Sequence, residues 1–116
     1  MNETAVMLNK LLDVTSERQR VLANNLANVD TPGYVRQDVR FHKILSEAVE
    51  SGRMERIKEA RPEVYYDTAT PSRPDGNNVS TQKELGEMMQ NELLYQFSSK
   101  ALSSVYGGLL KAIKGK

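Results

Sequence analysis

The chain has 116 residues, 16 basic and 15 acidic side chains, a net charge of +1, one histidine and no cysteine. That is one domain's worth of polypeptide. The balanced charge offers no basic stripe to a nucleic acid, and the missing thiols exclude disulfides and thiolate metal sites. Hydrophobic residues make up 39% and aromatics 6%, with no tryptophan and a mean hydropathy of −0.56. Little material is available for a thick interior, so part of the apolar surface is expected to face neighbours. The densest basic cluster, Arg53, Arg56, Lys58 and Arg61, is interleaved with Glu55, Glu59 and Glu63 and reads as a solvated surface. No apolar run reaches membrane-spanning length. The first residues lack the basic and apolar regions of a cleavable secretory signal.

From about Thr4 to Val29 apolar residues recur at helical spacing. Leu8, Leu12, Leu22, Leu26 and Val29 form one stripe, flanked by Met7, Leu11, Val14 and Val21. Thr15 and Gln19 interrupt the stripe. Such gaps suit either a seam whose register is set by polar contacts or a helix half exposed at that level. Three asparagines, Asn24, Asn25 and Asn28, crowd the last turn, where an amide side chain can serve backbone groups that have lost their intrahelical partners. The stop is abrupt. Pro32 lacks an amide hydrogen and pushes Thr31 out of the helical region. Pro32-Gly33 fits the centre of a type II turn with Gly33 at the positive-φ position, and Asp30 and Thr31 can brace it.

After Tyr34, residues 35–40 read as extended loop or a short strand. Phe41, Ile44, Leu45, Ala48 and Val49 suggest a short amphipathic helix, bent or ended at Ser51-Gly52. Met54 and Ile57 continue it as far as Ala60, before Arg61-Pro62 breaks it. Val64-Tyr65-Tyr66 is the best strand candidate. Residues 67–78, with Pro71, Pro74, Asp75-Gly76 and Asn77-Asn78, read as a small hairpin or an Ω-like loop. A second long helix starts near Ser80 or Thr81, with Thr81 and Glu84 spaced as a capping box. Leu85, Met88, Tyr95, Leu102, Tyr106, Leu109 and Ile113 follow near a 3.5-residue repeat, broken at Glu92 and Ser99. Such a helix would be about 50 Å long, weakened at Gly107-Gly108 and in need of a partner.

The expected fold is therefore mainly α: two long terminal amphipathic helices pair as a coiled-coil-like hairpin around a small irregular or β-hairpin middle. Residues 1–34 carry the first helix and its turn, 35–79 the middle, and 80–116 the second helix, all as one structural unit. Catalytic chemistry lacks its parts. His42 is a lone histidine, so neither a histidine zinc site nor an imidazole pair exists. No G-x-S-x-G, glycine-rich phosphate cradle or complete calcium loop is present around Asp75-Gly76-Asn77. Neither an enzyme nor a cofactor is expected.

The run Ala23-Asn24-Asn25-Leu26-Ala27-Asn28-Val29-Asp30-Thr31-Pro32-Gly33-Tyr34 closely resembles the signature of bacterial flagellar rod, hook and hook-associated axial proteins. In these an asparagine-rich helix end runs into a TPGY or TTGY turn. Asp75-Gly76-Asn77-Asn78-Val79 resembles the lead into their second helix. Asn91, Tyr95 and the Leu109–Gly115 ending are similar to the proximal-rod branch. The resemblance implies a structural rod subunit in the periplasmic part of the basal body, exported through the flagellar type III apparatus. It implies contacts with further copies and with FlgC, FlgF, FlgG and FliE, and none with nucleic acid or small-molecule substrates. The motif residues are then Asn24, Asn25, Asn28, Asp30, Thr31, Pro32, Gly33 and Tyr34, with Asp75, Gly76, Asn77 and Val79 leading into the second helix. Leu8, Leu12, Leu22, Leu26, Leu102, Tyr106, Leu109 and Ile113 form the expected assembly seam. Alternatives are another rod component of the FlgC type, or a free-standing helical adaptor or secretion chaperone.

Overall fold

The computed structural model describes residues 3–41, 46, 50 and 54–115, excepting the side chains of 54–56. Helix α1 spans Glu3–Ala27, strand β1 Gln37–Arg40, helix α2 Met54–Glu59, strand β2 Glu63–Tyr66 and helix α3 Thr81–Lys114. The molecule is elongated, 64 × 27 × 15 Å. Its length comes from α3, whose 34 residues make a rod of about 51 Å. The expected short helix over 41–49 falls largely outside the described residues.

The two long helices lie antiparallel, as the order of their contacts shows. Asn9 meets Tyr106, Thr15 meets Asn91, Arg18 meets Glu87, and Asn25 meets Glu84. The dry part of the seam is short. Ala5, Leu8 and Leu102 are buried together, with Leu11, Leu12, Ala101 and Val105 packed around them. Further along, the polar gap at Thr15 is an internal polar layer. Asn91 donates to the Thr15 carbonyl at 2.7 Å and to Gln19 Oε1 at 2.9 Å, while the buried Thr15 hydroxyl donates back to Leu11 O. A buried asparagine of this kind opposes sliding, because any shift along the helix leaves its amide unpaired.

The sheet has two antiparallel strands, with Gln37 opposite Tyr66 and Arg40 opposite Glu63. The expected strand at 64–66 is β2. Its partner is the upstream segment read as loop or short strand, and residues 67–78 contain no strand. The prolines explain this. Pro71 and Pro74 supply no ladder donors, and the segment folds on itself instead, with Gly76 N–H donating to Arg73 O and Arg73 N–H to Asn77 O. Helix α2 packs Ile57 against Val6 and Met7. Lys10 reaches across from α1 to donate to the carbonyls of Lys58 and Ala60, supplying the end of α2 with the donor that its own turns lack.

The start of α3 differs from the expected capping box. Ser80 is the N-cap, in extended conformation, and its hydroxyl accepts from Lys83 N–H. Glu84 lies one residue too late for the reciprocal half of that motif, and its carboxylate is committed elsewhere. At the other end Gly115, with φ 69°, closes the helix in the left-handed conformation, its N–H turned back to Ala112 O. The helix runs unbroken through Gly107-Gly108.

Candidate functional site

The exit from α1 is a type II turn. Tyr34 N–H donates to Thr31 O at 3.2 Å, and Gly33 takes φ 74°. A second turn, Arg73-Pro74-Asp75-Gly76, sits directly against it. Gly33 N–H donates to Asp75 O at 2.8 Å, and a Cβ on Gly76, itself at φ 85°, would come within 3.2 Å of the Gly33 Cα. The close backbone approach, together with a positive φ, accounts for Gly76, whereas a Cβ on Gly33 would meet nothing within 4 Å and its φ of 74° is what calls for glycine.

Asparagine side chains lock these turns to the helices and the sheet. Asn25, fully buried, accepts from Gln37 N–H at 2.9 Å and donates to Gln37 O at 2.7 Å. One helix side chain thereby supplies β1 with a substitute for a neighbouring strand. Its oxygen also accepts from the Tyr34 hydroxyl, which in turn accepts from Asn24. Burial raises the Tyr34 phenol above its ordinary value, only partly offset by Asn24. Asn28 donates to Asn24 O, and Thr31 Oγ1 to Asn28 Oδ1. Asn77, also fully buried, directs its amide nitrogen at three carbonyls of the exit. They are Asn28 O at 2.9 Å, Val29 O at 3.1 Å and Thr31 O at 2.8 Å, while its oxygen accepts from Val79 N–H. Arg73 adds donors to Val29 O and Val79 O. The carbonyls orphaned where α1 ends are thus satisfied by residues more than forty positions away. Asn78 does the same for the sheet end, accepting from Arg36 N–H and donating to Asp67 O and Thr70 O.

Beneath this clamp lies an ionic cluster absent from the sequence-based expectations. Arg36 and Glu84 are almost inaccessible, with Arg36 Nε donating to Glu84 Oε1 at 2.6 Å. Arg36 also donates to Asp67 at 2.8 Å and lies 3.5 Å from Asp38. Asp38 is bound by Arg18, which reaches on to Glu87. Glu84 additionally accepts from Asn25. Burial alone would lower the Arg36 pKa; its hydrogen bonds to the Glu84 and Asp67 carboxylates overcome this and raise it. The Thr70 hydroxyl first, then Arg36, holds the Asp67 carboxyl far below the usual carboxylate range despite desolvation. Desolvation likewise opposes ionisation of Asp38, but Arg18 and the Val39 N–H prevail and its pKa is lowered.

Both carboxyls therefore bind a proton less readily in the folded than in the unfolded chain. Their contribution to stability is complete above the unfolded value of about 4 and is lost as pH falls through the depressed folded values. The expected urea midpoint is level at neutral pH and declines progressively below pH of about 4. Asp67→Asn should shift and flatten that decline, and urea titrations by far-UV circular dichroism at stepped pH would check it.

The expected seam residues divide by depth. Leu8, Leu22 and Leu102 are buried; Leu12 and Leu26 are half-buried; Tyr106, Leu109 and Ile113 are exposed, Ile113 by 80%. Of the turn residues, Asn25 is buried, Asn28 and Tyr34 half-buried, and Asn24, Asp30, Thr31, Pro32 and Gly33 exposed. Asn77 and Val79 are buried, Gly76 half-buried and Asp75 exposed. The structure also bares a row that the 3.5-residue reading did not isolate. Leu85, Met89, Leu93 and Phe97, four apart along α3, are all exposed. A spacing of four was available in the sequence as one ridge of a helix surface. Among the described residues no group of acidic, histidine or cysteine side chains could hold a metal ion.

A family model described as Flagella basal body rod protein matches residues 12–34, the second half of α1 with its asparagines and turn. Over nearly the whole chain there are relatives. A flagellar basal body rod protein FlgB from Aeromonas hydrophila is 36% identical over 116 residues, covering 90% of this chain and 88% of its own. The chain belongs to the FlgB family of flagellar basal-body rod proteins. Other members of the family include the Bacillus subtilis FlgB, 33% identical over 84% of this chain and 83% of its own, and that of Escherichia coli K12, 29% identical over 89% and 87%. The coverage extends past the family-model match through the Asn77-Asn78 clamp and along α3.

Proposed function

We propose that this FlgB-family chain is a structural, non-catalytic subunit of the flagellar basal-body rod, building the shaft through its two long helices. The observation that carries the reading is the bare apolar row on α3. Leu85, Met89, Leu93 and Phe97 are 45–69% exposed, and a soluble monomer has no use for a continuous apolar ridge of that length. The helices of residues 1–34 and 80–116 form the axial part, with Leu8, Leu12, Leu22, Leu26, Leu102, Tyr106, Leu109 and Ile113 along the seam between and within copies. The clamp of Asn25, Asn77 and the paired turns fixes the angle at which residues 35–79 leave that axis. Contacts between unlike patches that do not close on themselves generate a helical stack. The subunit works in the periplasmic rod, reaches it through the flagellar type III apparatus, and meets FliE, FlgC, FlgF and FlgG there.

The test is Phe97→Asp. Phe97 is 65% exposed, so the purified variant should keep its helicity and urea midpoint, with a change within about 0.5 kcal/mol. Cells carrying it in place of the parent chain should lack rods in basal-body micrographs and fail to swim. Normal swimming would refute the assignment of this ridge to assembly.

A further inference from the structure

Two apolar patches on α3 remain uncovered by the rest of the described chain, and they differ in shape and charge. One is an open groove of about 430 Å³, lined by Leu85, Met88, Met89 and Leu93 with Gln19 and Glu92 at its polar edge. The other is the tip of α3. Tyr106, Leu109, Leu110 and Ile113 are 38–80% exposed. At 3.6 residues per turn they share a sector of about 100°. Lys114, which is exposed, lies about 40° beyond one edge of that sector.

Resting on the rod reading above, we infer that the tip of α3 seats in the 85–93 groove of an adjacent copy of this chain. Three features favour that occupant. The patches are of opposite charge at the rim, with Glu92 lining the groove and Lys114 beside the tip. Rim charges of this kind set orientation and partner choice more than affinity. The groove lining is almost wholly apolar and methionine-rich, which suits adaptable packing against leucine and isoleucine side chains. Gly107 lies about 60° beyond the sector edge, and a Cβ there would meet nothing within 4 Å, so this glycine leaves the approach to the tip slender. Since groove and tip are different surfaces of one molecule, a pair still offers one free groove on the copy that gave its tip and one free tip on the other. The contact therefore propagates instead of closing as a dimer.

The chain has no cysteine, so a pair can be introduced cleanly. Full-length chain carrying Met89→Cys with Ile113→Cys would be expressed in place of the parent, and basal bodies isolated and oxidised. The two positions lie about 36 Å apart along one helix, far beyond the reach of a disulfide within a molecule. The expected result is a ladder of dimers, trimers and longer cross-linked species that reducing agent collapses, with no ladder from either single-cysteine chain. Leu93→Cys with Leu110→Cys provides an independent pair should the first disturb packing. Glu92→Lys should weaken the ladder several-fold and Lys114→Glu in the same chain should restore it. Basal bodies that contain the chain but yield no ladder from either pair would overturn this contact alone. So would strong dimerisation of the Met89→Cys chain by itself, which would mean that groove faces groove. Absence of the chain from basal bodies would overturn both this contact and the rod reading.

Discussion

Arg36→Met is expected to lose about 3–5 kcal/mol of folding stability, the usual cost of removing one partner from a buried ion pair. That is a large share of what a domain of this size possesses. The reason lies in what the substitution leaves behind. Glu84 is completely buried, and without the guanidinium it retains only the Asn25 amide as a partner among the described side chains. Asp67 loses its closest cation, keeping the Thr70 hydroxyl and Lys83 at 3.9 Å. Asp38 keeps Arg18. The uncompensated charge at Glu84 should therefore dominate the loss. In urea the midpoint should fall by on the order of 2 M. The double variant Arg36→Met with Glu84→Leu should recover a substantial part of it, because replacing both buried ions by apolar groups removes the desolvation cost along with the attraction. A double variant no more stable than Arg36→Met alone would show that the pair is not the centre of the cluster.

What Arg36 and Glu84 join explains the placement of so costly a group. Arg36 stands at the start of the sheet, Glu84 in the first turns of α3, and Asn25, on the same carboxylate, in the last turns of α1. One ionic centre thus fixes the mutual position of the three elements that meet at the helix exit. The angle at which the middle segment leaves the long axis is set by directed bonds. Apolar packing, which tolerates sliding, has little part in it: among the described residues the buried apolar side chains nearest the junction are Val21, Leu22 and Val79.

Periodicity made the long helices legible, because it is a local pattern repeated several times, and the β-branched and aromatic residues did the same for the strand at 64–66. Antiparallel pairing was the simplest way for two such helices to cover each other. The type II turn was readable from Thr31-Pro32-Gly33-Tyr34, since proline and glycine restrict the backbone whatever surrounds them. Arg36 was not readable. In a segment without alternation a charged residue defaults to the surface, and only partners 31 and 48 positions away make its burial tolerable. Glu84 failed for the related reason that its spacing from Thr81 imitates a capping box, whereas the cap is Ser80. Asn77 stood in a recognisable motif, but its three acceptors lie on the far side of the chain and carry no local signature. In α3 the 3.5-residue repeat did not mark the face turned to α1: the helix buries Glu84, Asn91, Ser98 and Leu102, and only Leu102 belongs to the repeat, while Leu85 and Tyr95 are exposed.

Asn77→Asp should be nearly as damaging as Arg36→Met, although the two side chains have the same shape. The amide nitrogen donates to Asn28 O, Val29 O and Thr31 O at 2.8–3.1 Å. A carboxylate would place a negative oxygen where those three carbonyls need a donor, inside a site with no accessible surface. It would either remain ionised against them or take up a proton, supplying one donor in place of two. Both routes cost several kcal/mol, on the order of 3, and the second adds a distinctive sign. A carboxyl raised above its ordinary value in the folded state is stabilised by protonation, so the variant should gain stability relative to the parent as pH falls from 8 toward 5. The acidic groups of the parent cluster act in the opposite direction, and they act at lower pH. Urea midpoints for both proteins across that range would separate the cases. A parallel pair of curves would mean that the exit carbonyls do not depend on the Asn77 amide, and that the Arg73 guanidinium suffices to hold the end of α1.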